Sequence, residues 1–82
     1  DNMEKSPKVY VEVKACFDTE GRIFPMSITR EDGREYEIDR ILNVRPAVSL
    51  KARGAGIRYC VRIGKSQTYL FLEENKWFVE RR

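Results

Sequence analysis

The stretch Ile57-Arg58-Tyr59-Cys60-Val61-Arg62-Ile63 decides how the chain reads. Apolar and polar residues alternate along it, the period-two signature of a strand with one face buried and one in water. Ile57, Tyr59, Val61 and Ile63 take the inner face. Arg58 and Arg62 share the outer face and, four residues apart, lie about 13 Å from each other at the rise of an extended strand. The wider segment from Arg40 to Leu72 carries Arg40, Arg45, Lys51, Arg53, Arg58, Arg62 and Lys65, and no acidic residue.

The flanking segments repeat the rhythm. From Lys8 to Asp18, Val9, Val11, Val13, Ala15 and Phe17 fall on one face, and Tyr10, Glu12, Lys14 and Cys16 on the other. Asp18-Thr19-Glu20-Gly21 is a turn, so Arg22 to Arg30 returns as the second arm of a hairpin. Phe24, Met26 and Ile28 are expected on its inner face. Pro25 lacks an amide donor, which places this strand at an edge or at a bulge. Glu31-Asp32-Gly33 turns the chain again into a third strand, Arg34 to Leu42. There Tyr36, Ile38 and Leu42 face one way. Glu35, Glu37 and Asp39 face the other, a row that attracts a basic neighbour. Thr68 to Leu72 is apolar on both faces and is expected in a central or covered position. Trp77-Phe78-Val79-Glu80 closes the chain as a short strand.

Residues 43–56 break the pattern around Pro46. They are expected to form one longer loop or a short helix, with helical turns over Ala47–Ala52 and a sharp return at Gly54 and Gly56. Six short strands joined mostly by tight turns predict an all-β, mainly antiparallel meander. Such a sheet curls into a small, partly open barrel of SH3-like or OB-like type to hide its apolar face. Residues 1–7 are read as a flexible N-terminal tail and residues 8–82 as a single domain. Eighty-two residues, 41% of them hydrophobic, are enough for one core and little more.

The net charge of +3 conceals a split. Residues 1–43 hold seven Lys/Arg against ten Asp/Glu, a net of −3; residues 44–82 hold nine against three, a net of +6. Two arrangements follow. Either the folded domain has an acidic and a basic side, or strands from the two halves pair and the charges cancel.

Several chemistries are excluded by residue type. The chain has no histidine, which removes the usual neutral-pH acid–base group and any Ser-His or Cys-His nucleophile. Cys16 and Cys60 are too few and too far apart for a zinc site, so no metal and no cofactor are expected. They are read as free thiols, with one cross-strand disulfide as the alternative. The paired acids Glu31/Asp32 and Glu73/Glu74 belong to turns. Arg53-Gly54-Ala55-Gly56 lacks the lysine and following helix of a phosphate loop. No apolar run is long enough to cross a membrane as a helix, and no secretory leader is evident, so a cytoplasmic protein that does not dock on membranes is expected.

Two functions remain. The first is nucleic-acid binding by a non-enzymatic domain, with Arg58 and Arg62 as contacts about two phosphates apart, Arg45, Lys51 and Arg53 extending the patch, and Tyr10 offering a stacking surface. Its competitor pairs Arg58 and Arg62 with Glu35, Glu37 or Asp39. The second function is a protein-interaction or homodimerisation module using Tyr69, Phe71, Trp77 and Phe78 at a sheet edge.

Gly33-Arg34-Glu35-Tyr36-Glu37-Ile38-Asp39-Arg40-Ile41-Leu42, Arg58-Tyr59-Cys60-Val61-Arg62, Thr68-Tyr69-Leu70-Phe71 and Lys76-Trp77-Phe78-Val79-Glu80-Arg81 together resemble a small uncharacterised bacterial domain. Similar domains are found beside translesion-polymerase-like proteins. The resemblance spans about sixty residues of packing positions and turns, and implies a β-rich fold in a DNA-transaction setting. It assigns no site residue.

Overall fold

The computed structural model describes residues 7–47 and 56–81. Eight strands follow one another: β1 (Lys8–Tyr10), β2 (Glu12–Phe17), β3 (Ile23–Thr29), β4 (Glu35–Glu37), β5 (Arg40–Pro46), β6 (Gly56–Ile63), β7 (Ser66–Glu73) and β8 (Lys76–Glu80). They make two antiparallel sheets, a large one in the order β1-β8-β7-β6-β5 and a small one in the order β2-β3-β4. The protein is all-β, with no helix among the described residues.

Two chain segments belong to both sheets. β1 and β2 are separated only by Val11, whose amide still bonds the Trp77 carbonyl of the large sheet at 3.0 Å before the chain turns into the small one. The segment holding β4 and β5 changes sheets at Ile38 and Asp39. The Ile38 amide bonds Met26 of the small sheet and the Asp39 amide bonds Arg62 of the large one, each at 2.9 Å. The result is a partly open barrel. Its inner layer is Ile28, Tyr59, Val61, Leu70, Leu72 and Val79, with Val9, Val11, Val13, Ile41 and Trp77 packed against it. Tyr59 reaches across from the large sheet, its hydroxyl donating to the Ile23 carbonyl at 2.5 Å. Burial pushes the pKa of that phenol above its ordinary value.

β7 lies at the centre of the large sheet, as its two apolar faces require. Two sequence expectations, the inner face of the second strand and the loop at 43–56, need correction. Of the two places open to Pro25 the edge is excluded, since β3 is the middle strand of the small sheet, and the bulge is the one that forms. Pro25 sits beside it, where the pairing steps from Lys14–Ser27 to Ala15–Pro25 and leaves Met26 without an opposite residue. The extra residue reverses the inside–outside alternation. Pro25 and Ile28 are therefore buried, while Met26, expected inside, is 55% exposed. Second, β5 runs on through Asn43 to Pro46, so Arg45 sits on a strand and not in the loop. The helical turns expected at Ala47–Ala52 fall, from residue 48 on, outside the described residues. Gly56 begins β6, and a Cβ on it would lie 2.6 Å from the Ala47 carbonyl oxygen, so only glycine fits this approach. Cys16 and Cys60 are both free thiols, as the sequence reading expected, Cys16 exposed and Cys60 buried.

Candidate nucleic-acid interface

The candidate site is the outer face of the large sheet. Pairing register carries each side chain to its place. Arg45 lies opposite Arg58, Arg58 opposite Phe71, Phe71 opposite Phe78, and Phe78 opposite Tyr10. This row crosses all five strands, about 19 Å at the usual inter-strand spacing. Beside it run Asn43–Cys60–Tyr69 and then Arg40–Arg62–Gln67.

The arginines share the face because of a second bulge. Arg40 and Arg45 are an odd number of residues apart, so a regular strand would send them to opposite sides. The pairing steps from Ile41–Val61 to Asn43–Cys60, leaving Leu42 as the extra residue, and both arginines emerge outside. Two arginine pairs thus stand directly across β5 and β6. Each like-charge pair costs roughly 0.2–1 kcal/mol. Among the described residues, no carboxylate lies within ion-pair distance of Arg40, Arg45, Arg58 or Arg62.

The competing arrangement, with Arg58 and Arg62 paired to the acids of the third strand, is not what forms. Glu35 faces out from the small sheet, where it accepts from the Ser27 hydroxyl at 2.8 Å and pairs with Lys14 at 3.3 Å. Those two contacts, the hydroxyl first, hold its carboxyl below the ordinary pKa. Asp39 accepts the Gly64 amide at 2.6 Å. Glu37 lies opposite Ser27 in the small sheet. The charges are therefore segregated: Glu12, Glu35 and Glu37 on the small sheet, the arginines on the large one.

The aromatic side chains divide by face. Phe71 and Phe78 stack with ring centres 5.0 Å apart and planes within 5°. Tyr10 meets Phe78 edge-on at 5.7 Å, and the Lys8 ammonium lies 4.7 Å from the Phe78 centroid. Under this cover Phe78 is only 2% exposed, so it forms a thin second core outside the sheet. Lys8 is further tied to Glu73 at 3.2 Å, which leaves the β1–β8 side of the face nearly neutral. Tyr69 is 46% exposed and carries the Arg58 guanidinium 4.6 Å over its ring. Arg58 Nε is shielded from solvent and, among the described residues, has no hydrogen-bond partner.

Of the predicted contacts, Arg45, Arg58 and Arg62 come together, joined by Arg40, which its neighbours alone made look like a flank charge. Lys51 and Arg53 lie outside the described residues. Tyr10 is on the same face but three strands from β6, too far to serve Arg58 directly. The four aromatics assigned to a sheet edge do not form one surface. Trp77 faces inward, its ring 5.5 Å from that of Tyr59, Phe78 is covered, and β7 and β8 are interior strands. Tyr69 lies opposite Cys60, between the two arginines of β6, a position that the sequence pattern alone did not give.

At the seam between β2 and the β7–β8 hairpin lies a cleft of about 200 Å³, lined by Ala15, Phe17, Ile23, Leu72, Asn75 and Trp77. It is mostly apolar and gathers no titratable group. Among the described residues, no three His, Cys, Asp or Glu side chains cluster as metal ligands, and no helix is long and apolar enough to cross a membrane. Comparison with family models, curated proteins and solved structures found no match in any of the three.

Proposed function

We propose that this protein is a non-enzymatic domain that binds nucleic acid on the outer face of its large sheet. One observation carries the reading: Arg40, Arg45, Arg58 and Arg62 face each other in pairs with, among the described residues, no carboxylate in ion-pair distance. Side chains that break the rule of cross-strand complementarity without local compensation are expected where a ligand supplies the missing charge. A polyanion supplies it at regular intervals, and with no acidic residue on β5 or β6 its approach to that side of the face is unopposed.

The test is an anisotropy titration with labelled oligonucleotides over a range of salt. With four arginines engaged, log K should fall by about three per tenfold increase in salt, at 0.7–0.9 per phosphate contact. Arg62→Gln should weaken binding and flatten that slope by about one contact. Arg22→Gln should change neither, because Arg22 is already paired with Asp18 at 2.7 Å, away from the face. No binding at low salt, or equal losses from Arg62→Gln and Arg22→Gln, overturns the proposal.

A further inference from the structure

The arginine face has a direction, and the direction distinguishes kinds of nucleic acid. Its β5–β6 side is an uncompensated cationic strip. Its β1–β8 side is neutralised by the Lys8–Glu73 pair and roofed by Tyr10 over Phe78. Between the two lies Tyr69 on β7, opposite Cys60 and diagonal to both arginines of β6, about 7–8 Å from each. A backbone following the strip therefore brings its bases first to Tyr69. The neighbouring Phe71, two residues along the same strand, is partly covered by Phe78. Tyr69 is the open ring.

That ring is now occupied by a group that is loosely held. The Arg58 guanidinium rests on it at 4.6 Å, an attraction of a cation for a π face. Arg58 Nε has, among the described residues, no acceptor although water is shut out from it. A buried donor without a partner is unfavourable where it stands, so leaving the ring relieves Arg58 of a penalty. A phosphate oxygen offers Arg58 a charge-assisted hydrogen bond in exchange. The vacated ring then presents its face to a base. Duplex bases offer no such face, because each is already stacked between its neighbours.

Resting on the nucleic-acid reading above, we propose that the ligand is a single strand, with its phosphates along the paired arginines of β5 and β6 and one base stacked on Tyr69 in the place now held by Arg58. Phosphate contacts supply the salt dependence. The Tyr69 stack supplies the preference for a strand that has bases to give.

Three labelled probes of equal length, about eight nucleotides, test this with the unaltered protein: oligothymidylate, the same backbone without bases, and a duplex. Oligothymidylate should bind about tenfold more tightly than the abasic strand at the same salt, as expected for one base on one aromatic ring, and more tightly than the duplex. Tyr69→Leu should remove that advantage and leave abasic binding unchanged; Tyr69→Phe should keep it. Equal affinity for oligothymidylate and the abasic strand overturns the stack while leaving phosphate binding intact. Equal or better binding of the duplex overturns the single-strand preference. Equal losses on both single strands from Tyr69→Leu would make the ring a support for Arg58, against the proposal. Absence of binding to every probe would sink this inference together with the function it rests on.

Discussion

Replacing Arg45 with glutamate should make the protein more stable and a poorer binder. Arg45 stands directly opposite Arg58 across β5 and β6. Cross-strand pairs of this kind are worth roughly 0.2–1 kcal/mol, favourable for opposite charges and unfavourable for like ones. Glutamate both removes the repulsion and adds an attraction, so the gain over the parent is about 1 kcal/mol, near the upper end because two terms change sign together. In a domain of this size that raises Tm by roughly 4–8 °C. Arg45→Gln is the control, since it removes the repulsion alone and differs little from glutamate in shape; glutamate should exceed it by about 0.5 kcal/mol. The assay is urea unfolding followed by the fluorescence of Trp77. It is run at low salt and again at about 0.5 M, where screening confines charges to a few ångströms and the difference should shrink. Oligonucleotide affinity should fall in the opposite order, least for glutamine and most for glutamate. The reasoning fails if glutamate is no more stable than glutamine at low salt, or if its advantage survives high salt unchanged.

Three further outcomes follow from the turns and thiols. The β7–β8 hairpin turns on Glu74 and Asn75, both left-handed, with φ of 53° and 66°. Changing them together to Asn-Gly, the pair such turns favour, should add about 1 kcal/mol in urea unfolding, and a loss would show that the turn is held by something other than its dihedrals. Asp18 accepts the Glu20 and Arg22 amides at 2.9 and 2.8 Å, and these bonds, that of Arg22 foremost, hold its carboxyl below the ordinary value. The folded state thus favours the ionised form, so its stabilisation is full above the ordinary carboxylate range and is lost as pH falls through that range. Asp18→Asn should flatten the acid limb of the stability profile; a limb as steep as the parent's would refute the assignment. A thiol reagent should find one fast equivalent in the native protein, exposed Cys16, and reach buried Cys60 only on unfolding; two fast equivalents would mean that the outer layer over Cys60 opens freely.

The strands, their turns and the inward set of β6 were legible because each depends on neighbours in sequence. Period-two alternation and turn residues such as Asp32-Gly33 are local signals. The handover of one chain segment between two sheets was not legible, since the alternation runs through Val11 and through Ile38–Asp39 without a break. What bends those strands is the choice of hydrogen-bond partner, Trp77 or Met26, far away in sequence. The double role of Phe78 was hidden for the same reason. An apolar residue on a strand's outer face reads as exposed until Phe71, Tyr10 and Lys8 arrive from other strands to cover it.

The bulges decide what the sequence could say of the site. One surplus residue in β3 turned the expected inner face of Phe24 and Met26 outward and buried Pro25. One surplus residue in β5, Leu42, did the reverse service, bringing Arg40 and Arg45 to the same side although their spacing is odd. A bulge is set by pairing, because it is visible only as two residues facing one. From the chain alone, Arg58 and Arg62 formed a strip of two cations, and Arg45 seemed to belong to a loop. Pairing makes the strip a ladder of four in which each rung repels itself. Acids for quenching it were available in Glu35 and Asp39, and the fold spends them elsewhere, on Ser27 and Lys14 and on the Gly64 amide. The face keeps its charge because the bulge at Leu42 gathers the cations, the crossing of the chain at Ile38 and Asp39 leaves Glu35 and Glu37 on the other sheet, and Asp39 is held by the Gly64 amide. One short segment, Glu35 to Arg45, therefore performs both separations.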